Sequence, residues 1–536
     1  MLAFQVTKTT KNIFNFTDIK ILDFQENYNY IRCIDFYIKA ISAALKLILP
    51  RNGHFENVWT ASKENADKLI ASDFAAGWSF LNRNKDISEI EWGYWQNWFF
   101  EVLPFLCGHL IIGKLIEWKF YQIRKYFYTC FSLITLISVL GFRPSLFLIF
   151  KCAVCYAVSL LGSSALVWVI SFTFLTCLNL DFTVALMKLF MFPGRPDVEI
   201  RYYFLMMILS LANLRYTGFC LERCNWMKES QEKTSVKNSN EEHPMKFGFI
   251  DLLCYTTYLP LCFSGPLINY NEFKEQINSP KEGWSVSRLW RHSLSFLRIG
   301  FWALFFDFVL HYFYFTSLAY HLTVIQSLSQ WTLVGIGYCQ GQFFMVKYII
   351  MWGVSSCIAQ LDQFKPPKGP KCISHIYLYS EMWRYFDRGL YSFMKRYIYV
   401  PAGGSRNGNF QQLFASAVSF IYIFFWHGMT EHLFIWTALN FLVVSMESLA
   451  GKTLFHPFMA NIWTKKMSAQ NVRRLHSLLA LPTLLASCIA IFYFMNGKEV
   501  GNIFLNRLIL EAWNGISTCN YQALKTTVAD IASRLN

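Results

Sequence analysis

The chain places its apolar residues in long runs separated by short polar stretches, not in alternation with polar residues. About 20 consecutive apolar residues allow an α-helix to cross a bilayer. Such runs predict membrane helices at 97–118, 126–142, 145–161, 163–180, 201–219, 293–319, 330–359, 409–427, 432–450, 475–495 and 502–518. A weaker candidate at 31–49 contains Asp35, Lys39 and Lys46, so an interfacial amphipathic helix is the alternative there. The pattern predicts an all-α polytopic membrane protein with about ten to twelve transmembrane or re-entrant helices.

The polar stretches suggest how the chain is organised. The predicted segments are a polar N-terminus (1–30), a first hydrophobic segment with a surface loop (31–96), a transmembrane core (97–518) and a C-terminal tail (519–536). Within the core we expect a solvated connector at 221–246. Basic loops at 114–125, 361–372 and 464–474 should lie on the cytosolic side. The absence of an internal repeat in the sequence disfavours a duplicated transporter.

Composition supports a bilayer protein and argues against a nucleic-acid-binding protein. Hydrophobic residues make up 54% and charged residues only 15%, whereas soluble domains carry about 25% charged residues. The net charge of +15 is spread over short segments between apolar runs, which suits anionic lipid or phosphate groups better than nucleic acid. Many of the 15 cysteines lie inside apolar runs, and their spacing does not match a zinc site. We therefore expect these cysteines to be buried and to behave as small hydrophobic residues.

Residues 381–399 are predicted to form one helix with an apolar and a cationic side. The apolar stripe consists of Met382, Phe386, Leu390, Phe393 and Tyr397. Arg384, Arg388 and Lys395 cluster opposite, and Asp387 lies at the border between the two surfaces. Helix physics alone favours an interfacial amphipathic helix in which Asp387 pairs with Arg384 or Arg388.

A turn-rich stretch follows this helix at 399–408. It contains Pro401, Gly403 and Gly404 beside Arg406. Glycines allow close backbone approach, so exposed amides beside Arg406 could hold an anion, and a simple connecting loop is equally consistent.

The almost uncharged run 409–427 ends at Trp426-His427-Gly428. A histidine at the end of a membrane span is energetically expensive, so it is a candidate functional residue. The alternative is a packed histidine bonded to a carbonyl. No comparable motif surrounds the other histidines in apolar segments, and we expect four of them to be structural: His109, His311, His432 and His476.

Several of these segments together resemble the membrane-bound O-acyltransferase superfamily, and within it the Hedgehog acyltransferase family of protein-cysteine N-palmitoyltransferases. The matching text is Met382-Trp-Arg-Tyr-Phe-Asp387-Arg-Gly-Leu, Arg396-Tyr-Ile-Tyr-Val-Pro-Ala-Gly-Gly-Ser405, Phe425-Trp-His-Gly428 and Trp436-Thr-Ala-Leu-Asn440. Upstream, Gly77-Trp78, Asn84 through Trp92 and Ser264-Gly-Pro-Leu-Ile268 are also similar. The resemblance covers most of the chain from about residue 75 and gives the region 372–440 as the active site.

The resemblance implies roles for particular residues. His427 and Asp387 would be catalytic, and Trp383 would lie near the acyl-CoA path. Further substrate or acyl-CoA contacts would come from Arg384, Arg388, Tyr399, Arg406, Trp426 and Asn440. Cys372 falls where this subfamily has a cysteine that ligates haem b, with a free cysteine and a palmitoylated cysteine as alternatives.

The resemblance also implies a reaction, which is transfer of palmitate from palmitoyl-CoA to the N-terminal cysteine amine of secreted signalling proteins. Candidate acceptors are Hedgehog and EGF-like ligands, and the expected location is the endoplasmic reticulum or Golgi membrane. Three alternatives remain at this stage: an O-acyltransferase acting on a serine or lipid hydroxyl, a non-catalytic membrane regulator, and a transporter. Nucleic acid is not an expected partner.

Overall fold

The computed structural model describes residues 54–236, 247–279, 285–376, 378–453 and 467–510. The predicted segments at 1–30, 31–49 and 519–536 lie outside these residues, as does the end of 502–518. Residues from Val58 onward belong to one compact unit. Residues 1–57 form a separate unit, of which only 54–57 are described, as the start of a helix.

The described residues are overwhelmingly helical. The α-helices are His54–Glu64, Ile90–Lys119, Arg124–Leu140, Phe142–Leu160, Ser164–Asn179, Asp181–Met191, Val198–Val236, Phe249–Thr257, Leu259–Cys262, Tyr270–Asn278, Val286–Val309, Phe315–Tyr320, Leu322–Ser327, Gln330–Leu361, Tyr379–Tyr385, Arg388–Met394, Asn409–His427, Glu431–Thr453 and Ala469–Leu505. Short 3-10 helices lie at Ala66–Lys68, Ala71–Asp73, Ser79–Leu81, Tyr121–Ile123 and Ile373–His375, and π-helical turns at Lys395–Tyr399 and Asn506–Leu510.

The strands found in the described part form one small antiparallel hairpin, Phe74–Ala76 with Asn84–Asp86, in which Phe74 faces Asp86 and Ala76 faces Asn84. Its second strand ends at Asp86, whose buried carboxylate accepts hydrogen bonds from the backbone amides of Ser88 and Ser317. Asp86 thereby ties the hairpin to the short helix Phe315–Tyr320.

Six helices in the described ranges are long and apolar enough to cross a bilayer, and a seventh span results if Ser164–Asn179 and Asp181–Met191, which meet at a bend of 80°, count as one. Large apolar side chains are exposed along these helices; on Val286–Val309, Leu297 is 67% and Leu304 63% exposed. In water such a surface would aggregate, whereas in lipid it is the expected outer face. The predicted all-α polytopic fold is confirmed, whereas the six or seven candidate spans in the described ranges are fewer than the ten to twelve transmembrane or re-entrant helices predicted.

Several helices begin or end at residues other than those the apolar runs indicate. The segment expected to be a solvated connector, 221–246, is helical as far as Val236 and continues the helix that begins at Val198. The predicted span 293–319 stops at Val309, and a separate short helix begins at Phe315. Periodicity identifies an apolar face, but it does not locate the residue at which the chain turns.

The predicted single helix 381–399 is interrupted at Asp387. One helix ends at Tyr385, and Asp387 adopts an extended conformation (φ −115°, ψ 92°) as the N-cap of the next helix, Arg388–Met394. Aspartate is among the best N-cap residues, since its side chain accepts a hydrogen bond from an otherwise unpaired amide of the first turn. The break directs Asp387 away from the surface on which a continuous helix would place it.

Candidate active site

A cavity of about 1100 Å³ lies among the helices. Its wall is formed by residues of Ser164–Asn179, Val198–Val236, Gln330–Leu361, the two short helices around Asp387, Asn409–His427, Glu431–Thr453 and Ala469–Leu505. Ligand pockets are typically about 300–1,000 Å³, so this cavity can hold a large ligand. Asp387 and His427 both line it.

Asp387 reaches the cavity from the break between its two helices. Its Oδ1 atom accepts a hydrogen bond of 2.9 Å from the Leu390 amide. Burial raises the pKa of Asp387 to about 6, against the opposing effect of hydrogen bonds from the backbone of Leu390 and Gly389. Gly389 also lets the backbone pack closely, because a Cβ there would lie 2.3 Å from the carbonyl oxygen of Leu267. Asp387 is therefore held firmly by backbone contacts.

The expected pairing of Asp387 with Arg384 or Arg388 is wrong. Arg384 lies over the rings of Tyr385 and Tyr391, and Arg388 lies 5.5 Å from the centre of the Tyr385 ring. Within the described ranges Asp387 forms no ion pair. Asp387 caps the second helix and lines the cavity.

His427 is the last residue of the helix Asn409–His427. Its ring makes edge-on contacts with Trp426 (4.6 Å between ring centres), Trp436 (5.0 Å) and Phe494 (5.1 Å). In the described part of the chain its ring nitrogens make no hydrogen bond. Packing therefore fixes the imidazole while both nitrogens remain available to a substrate.

Trp383 contacts the group of residues that packs against His427. Its indole nitrogen donates a 2.9 Å hydrogen bond to the Asn440 side chain, and its ring lies 5.8 Å from that of Trp436. Asn440 is fully buried and donates in turn to the Trp436 carbonyl. Trp383 lines the cavity, whereas Asn440 does not line it and acts through the hydrogen bond that it accepts from Trp383.

Glu447 holds the helix that carries Trp383. Its two carboxylate oxygens accept hydrogen bonds from the backbone amides of Tyr379 (2.7 Å) and Ser380 (2.9 Å), the first residues of the helix Tyr379–Tyr385. A helix N-terminus presents unpaired amides and a partial positive charge, so an acid from another helix satisfies both. The sequence reasoning missed Glu447, although a carboxylate inside the apolar run 432–450 is itself a signal of function.

Some of the expected substrate or acyl-CoA contacts line the cavity and others do not. Arg384 and Tyr399 line it, as does Lys395. Arg388 and Arg406 are not among the lining residues, and Arg406 is exposed in the turn after the helix. Arg384 and Lys395 therefore place positive charge on the cavity wall, whereas Arg388, which was predicted to lie on the same cationic face, does not line the cavity.

A second charged group borders the cavity at Glu91. Lys347 is buried and forms ion pairs with both Glu89 and Glu91, and the Tyr348 hydroxyl donates to Glu91 at 3.1 Å. Glu91 and Tyr348 line the cavity. The cluster ties the start of the helix Ile90–Lys119 to the helix Gln330–Leu361.

Cys372 is 8% exposed and does not line the cavity, so its described surroundings do not support the expected role as a haem ligand. Where the chain is described, no group of three or more His, Cys, Asp or Glu side chains is arranged to hold a metal ion. We assign no chemistry to haem, and a buried thiol is also a poor palmitoylation acceptor.

Of the four histidines expected to be structural, His109 and His311 bond to other parts of the chain and His432 is partly exposed. His109 is buried and bonded to Asp362 at 2.7 Å, and His311 accepts from the Trp78 amide at 2.9 Å. His432 contacts the neighbouring Thr430 hydroxyl. The side chain of His476 lies outside the described residues.

Fold and cavity define a multi-pass α-helical membrane enzyme whose histidine and aspartate share one large pocket. The chain belongs to the MBOAT, membrane-bound O-acyltransferase family, whose model matches residues 153–490. It is thus an acyltransferase, which excludes the transporter considered from the sequence.

Three relatives show how broad the family is. The chain is 29% identical to protein-cysteine N-palmitoyltransferase HHAT of Mus musculus, over 86% of this chain and 90% of that protein. It is 27% identical to protein-cysteine N-palmitoyltransferase Rasp of Drosophila melanogaster, over 86% and 87%. It is also 24% identical to membrane-bound O-acyltransferase GUP1 of Saccharomyces cerevisiae, over only 45% and 43%.

Proposed function

We propose that this protein transfers palmitate from palmitoyl-CoA to the N-terminal cysteine amine of secreted signalling proteins, including Hedgehog-like and EGF-like ligands. The observation that carries the proposal is the presence of Asp387 and His427 on the wall of one cavity. HHAT and Rasp, which are matched over most of their length, are both called protein-cysteine N-palmitoyltransferases, which supports this acceptor over a lipid hydroxyl.

The cavity suits the acyl donor. A palmitoyl chain buries about 14 methylene groups, each worth ~0.8 kcal/mol. The apolar part of the wall includes Leu175, Leu178, Met206, Met207 and Leu211, which can receive such a chain. Arg384 and Lys395 on the same wall can contact the CoA phosphates.

Asp387 and His427 can act on the acceptor amine. An N-terminal amine has a reference pKa of about 7.7–8.0, so near neutral pH much of it is protonated and cannot attack. The Asp387 carboxylate holds the ammonium, and His427 removes or relays the proton. His427 could alternatively donate to the oxyanion that forms on the thioester carbonyl.

The reaction balances without a further reactant. The amine nitrogen forms a bond to the thioester carbonyl carbon, and the carbon–sulfur bond then breaks. The ammonium first releases one proton to solvent through His427, the attacking amine then loses a second proton, and the CoA thiolate gains that second proton, so the products are the amide, CoA thiol and one free proton. The protein supplies orientation and proton transfer.

Palmitoyl-CoA is cytosolic and the acceptors enter the lumen, so the cavity must be reached from both sides of the endoplasmic reticulum or Golgi membrane. This topology predicts that cysteines introduced at positions 365 and 428 are labelled from different sides. Labelling of both from the cytosol would contradict the arrangement.

The function is tested with the purified full-length enzyme, alkyne-palmitoyl-CoA and synthetic peptides. A peptide with a free N-terminal cysteine should be acylated through an amide that resists hydroxylamine. His427→Ala and Asp387→Asn should abolish most of this labelling, whereas His432→Ala, a nearby exposed histidine, should retain it. Preference for an N-acetylated serine peptide would favour O-acylation, and unchanged labelling in both site variants would refute the site.

A further inference from the structure

Asn179 connects a bent helix to the end of the helix that carries His427. It is the last residue of Ser164–Asn179, at the 80° bend before Asp181–Met191, and it lines the same cavity as His427. Its Nδ2 atom donates to the carbonyl oxygens of Leu175 (2.8 Å) and Phe425 (3.1 Å). The second bond crosses to another helix, two residues before His427.

The Phe425 carbonyl needs an external partner. The last four carbonyls of an α-helix have no intrahelical donor. The two amides that follow the helix, those of Gly428 and Met429, both bond to the Phe424 carbonyl and leave that of Phe425 unpaired by backbone. The Asn179 amide satisfies it.

The contacts also fix the orientation of the Asn179 amide. Both bonded partners are carbonyl oxygens, so the NH₂ group must face them and Oδ1 must point the other way. Oδ1 lies 3.7 Å from the position that a Cβ on Gly428 would occupy. The side chain therefore lies near the residue that follows His427.

We propose that Asn179 is a positioning residue that fixes the last helical turn and thereby aims the His427 imidazole at the substrate. The imidazole makes no hydrogen bond to the described residues, so the backbone that carries it and the surrounding rings determine its direction. The inference rests on the proposed catalytic role of His427. An error of about 1 Å in a catalytic group can reduce a rate about 10²-fold.

Asn179→Leu tests the proposal because leucine is similar in size but cannot donate to the Phe425 carbonyl. Thr183→Val is the matched control: the Thr183 hydroxyl donates to the carbonyls of Cys177 and Leu180 at the same bend, but makes no hydrogen bond to the helix of His427. Both variants and His427→Ala are purified as full-length protein. Their binding of a non-hydrolysable palmitoyl-CoA analogue is titrated, so that kcat is expressed per binding site.

Asn179→Leu is expected to lower kcat per binding site about ten-fold, with wild-type analogue affinity and stoichiometry, while Thr183→Val stays within about two-fold of wild type. A kcat per site for Asn179→Leu within about two-fold of wild type would overturn the inference. So would an equal loss in both variants, since it would assign the effect to the stability of the bend. If His427→Ala itself retains activity, the proposed function of the site fails, which is a separate outcome.

Discussion

Replacing Asp387 with asparagine separates its structural role from its chemical role. The carboxylate caps the helix Arg388–Met394 through the Leu390 amide. Asparagine caps helices about as well as aspartate, whereas alanine loses a cap worth roughly 0.5–2 kcal/mol. Asparagine has no negative charge to hold an ammonium, and it is not a base. A positioned acid or base contributes roughly 10²–10⁴-fold to a rate.

We therefore expect Asp387→Asn to retain the thermal unfolding midpoint of the wild type and to lose roughly 10²–10⁴-fold in kcat/KM for a peptide with an N-terminal cysteine. Asp387→Ala should lose activity and also unfold at a lower temperature. The measurements are initial rates with palmitoyl-CoA and thermal unfolding in the same detergent. An asparagine variant with more than about a tenth of wild-type activity would refute the role of the charge.

The pH profile gives an independent check of the same residue. Asp387 lies between two short helices and not within a membrane-spanning one, and burial raises its pKa to about 6. The charged form is the one that binds the ammonium, so wild-type kcat/KM should rise as the pH passes through about 6. The residual activity of Asp387→Asn should lack this step. An unchanged step in the variant would assign it to another group.

Three further predictions follow from contacts around the site. Trp383→Phe keeps an aromatic ring, although a smaller one, and removes the indole N–H that bonds to Asn440. It should cost about 1 kcal/mol of stability and raise the KM for palmitoyl-CoA, as measured by unfolding and initial rates. Glu447→Gln removes the negative charge that faces the first amides of the helix Tyr379–Tyr385. Because that charge stabilises the helix that carries Trp383, kcat should fall more than five-fold, with unchanged protein yield as the control. Burial raises the pKa of Asp86 from 3.8 to about 6, so the folded state binds the proton more tightly than the unfolded state does. The free energy of unfolding should therefore fall by up to about 3 kcal/mol as the pH rises from 4 to 6. Asp86→Asn should flatten that part of the stability profile, and an identical pH dependence of both unfolding midpoints would contradict it.

Apolar run length predicted the positions of several long helices. The helix Asn409–His427 coincides with the predicted run, and Gln330–Leu361 differs from its prediction by two residues. Bilayer hydrocarbon requires helices with internally paired backbones, so the sequence alone indicates where they lie. Helix ends were less predictable; charged residues after 221 continue a helix as readily as they form a loop.

The sequence by itself determined that this is a polytopic helical protein, and its motifs indicated His427, Asp387 and Trp383 as candidates. Only the tertiary structure decided what surrounds them. Asp387 lines the cavity because its helix breaks there. Glu447 accepts hydrogen bonds from the backbone amides of Tyr379 and Ser380, which precede it in the chain by 68 and 67 positions. Such contacts depend on how distant helices pack, and local periodicity carries no information about them.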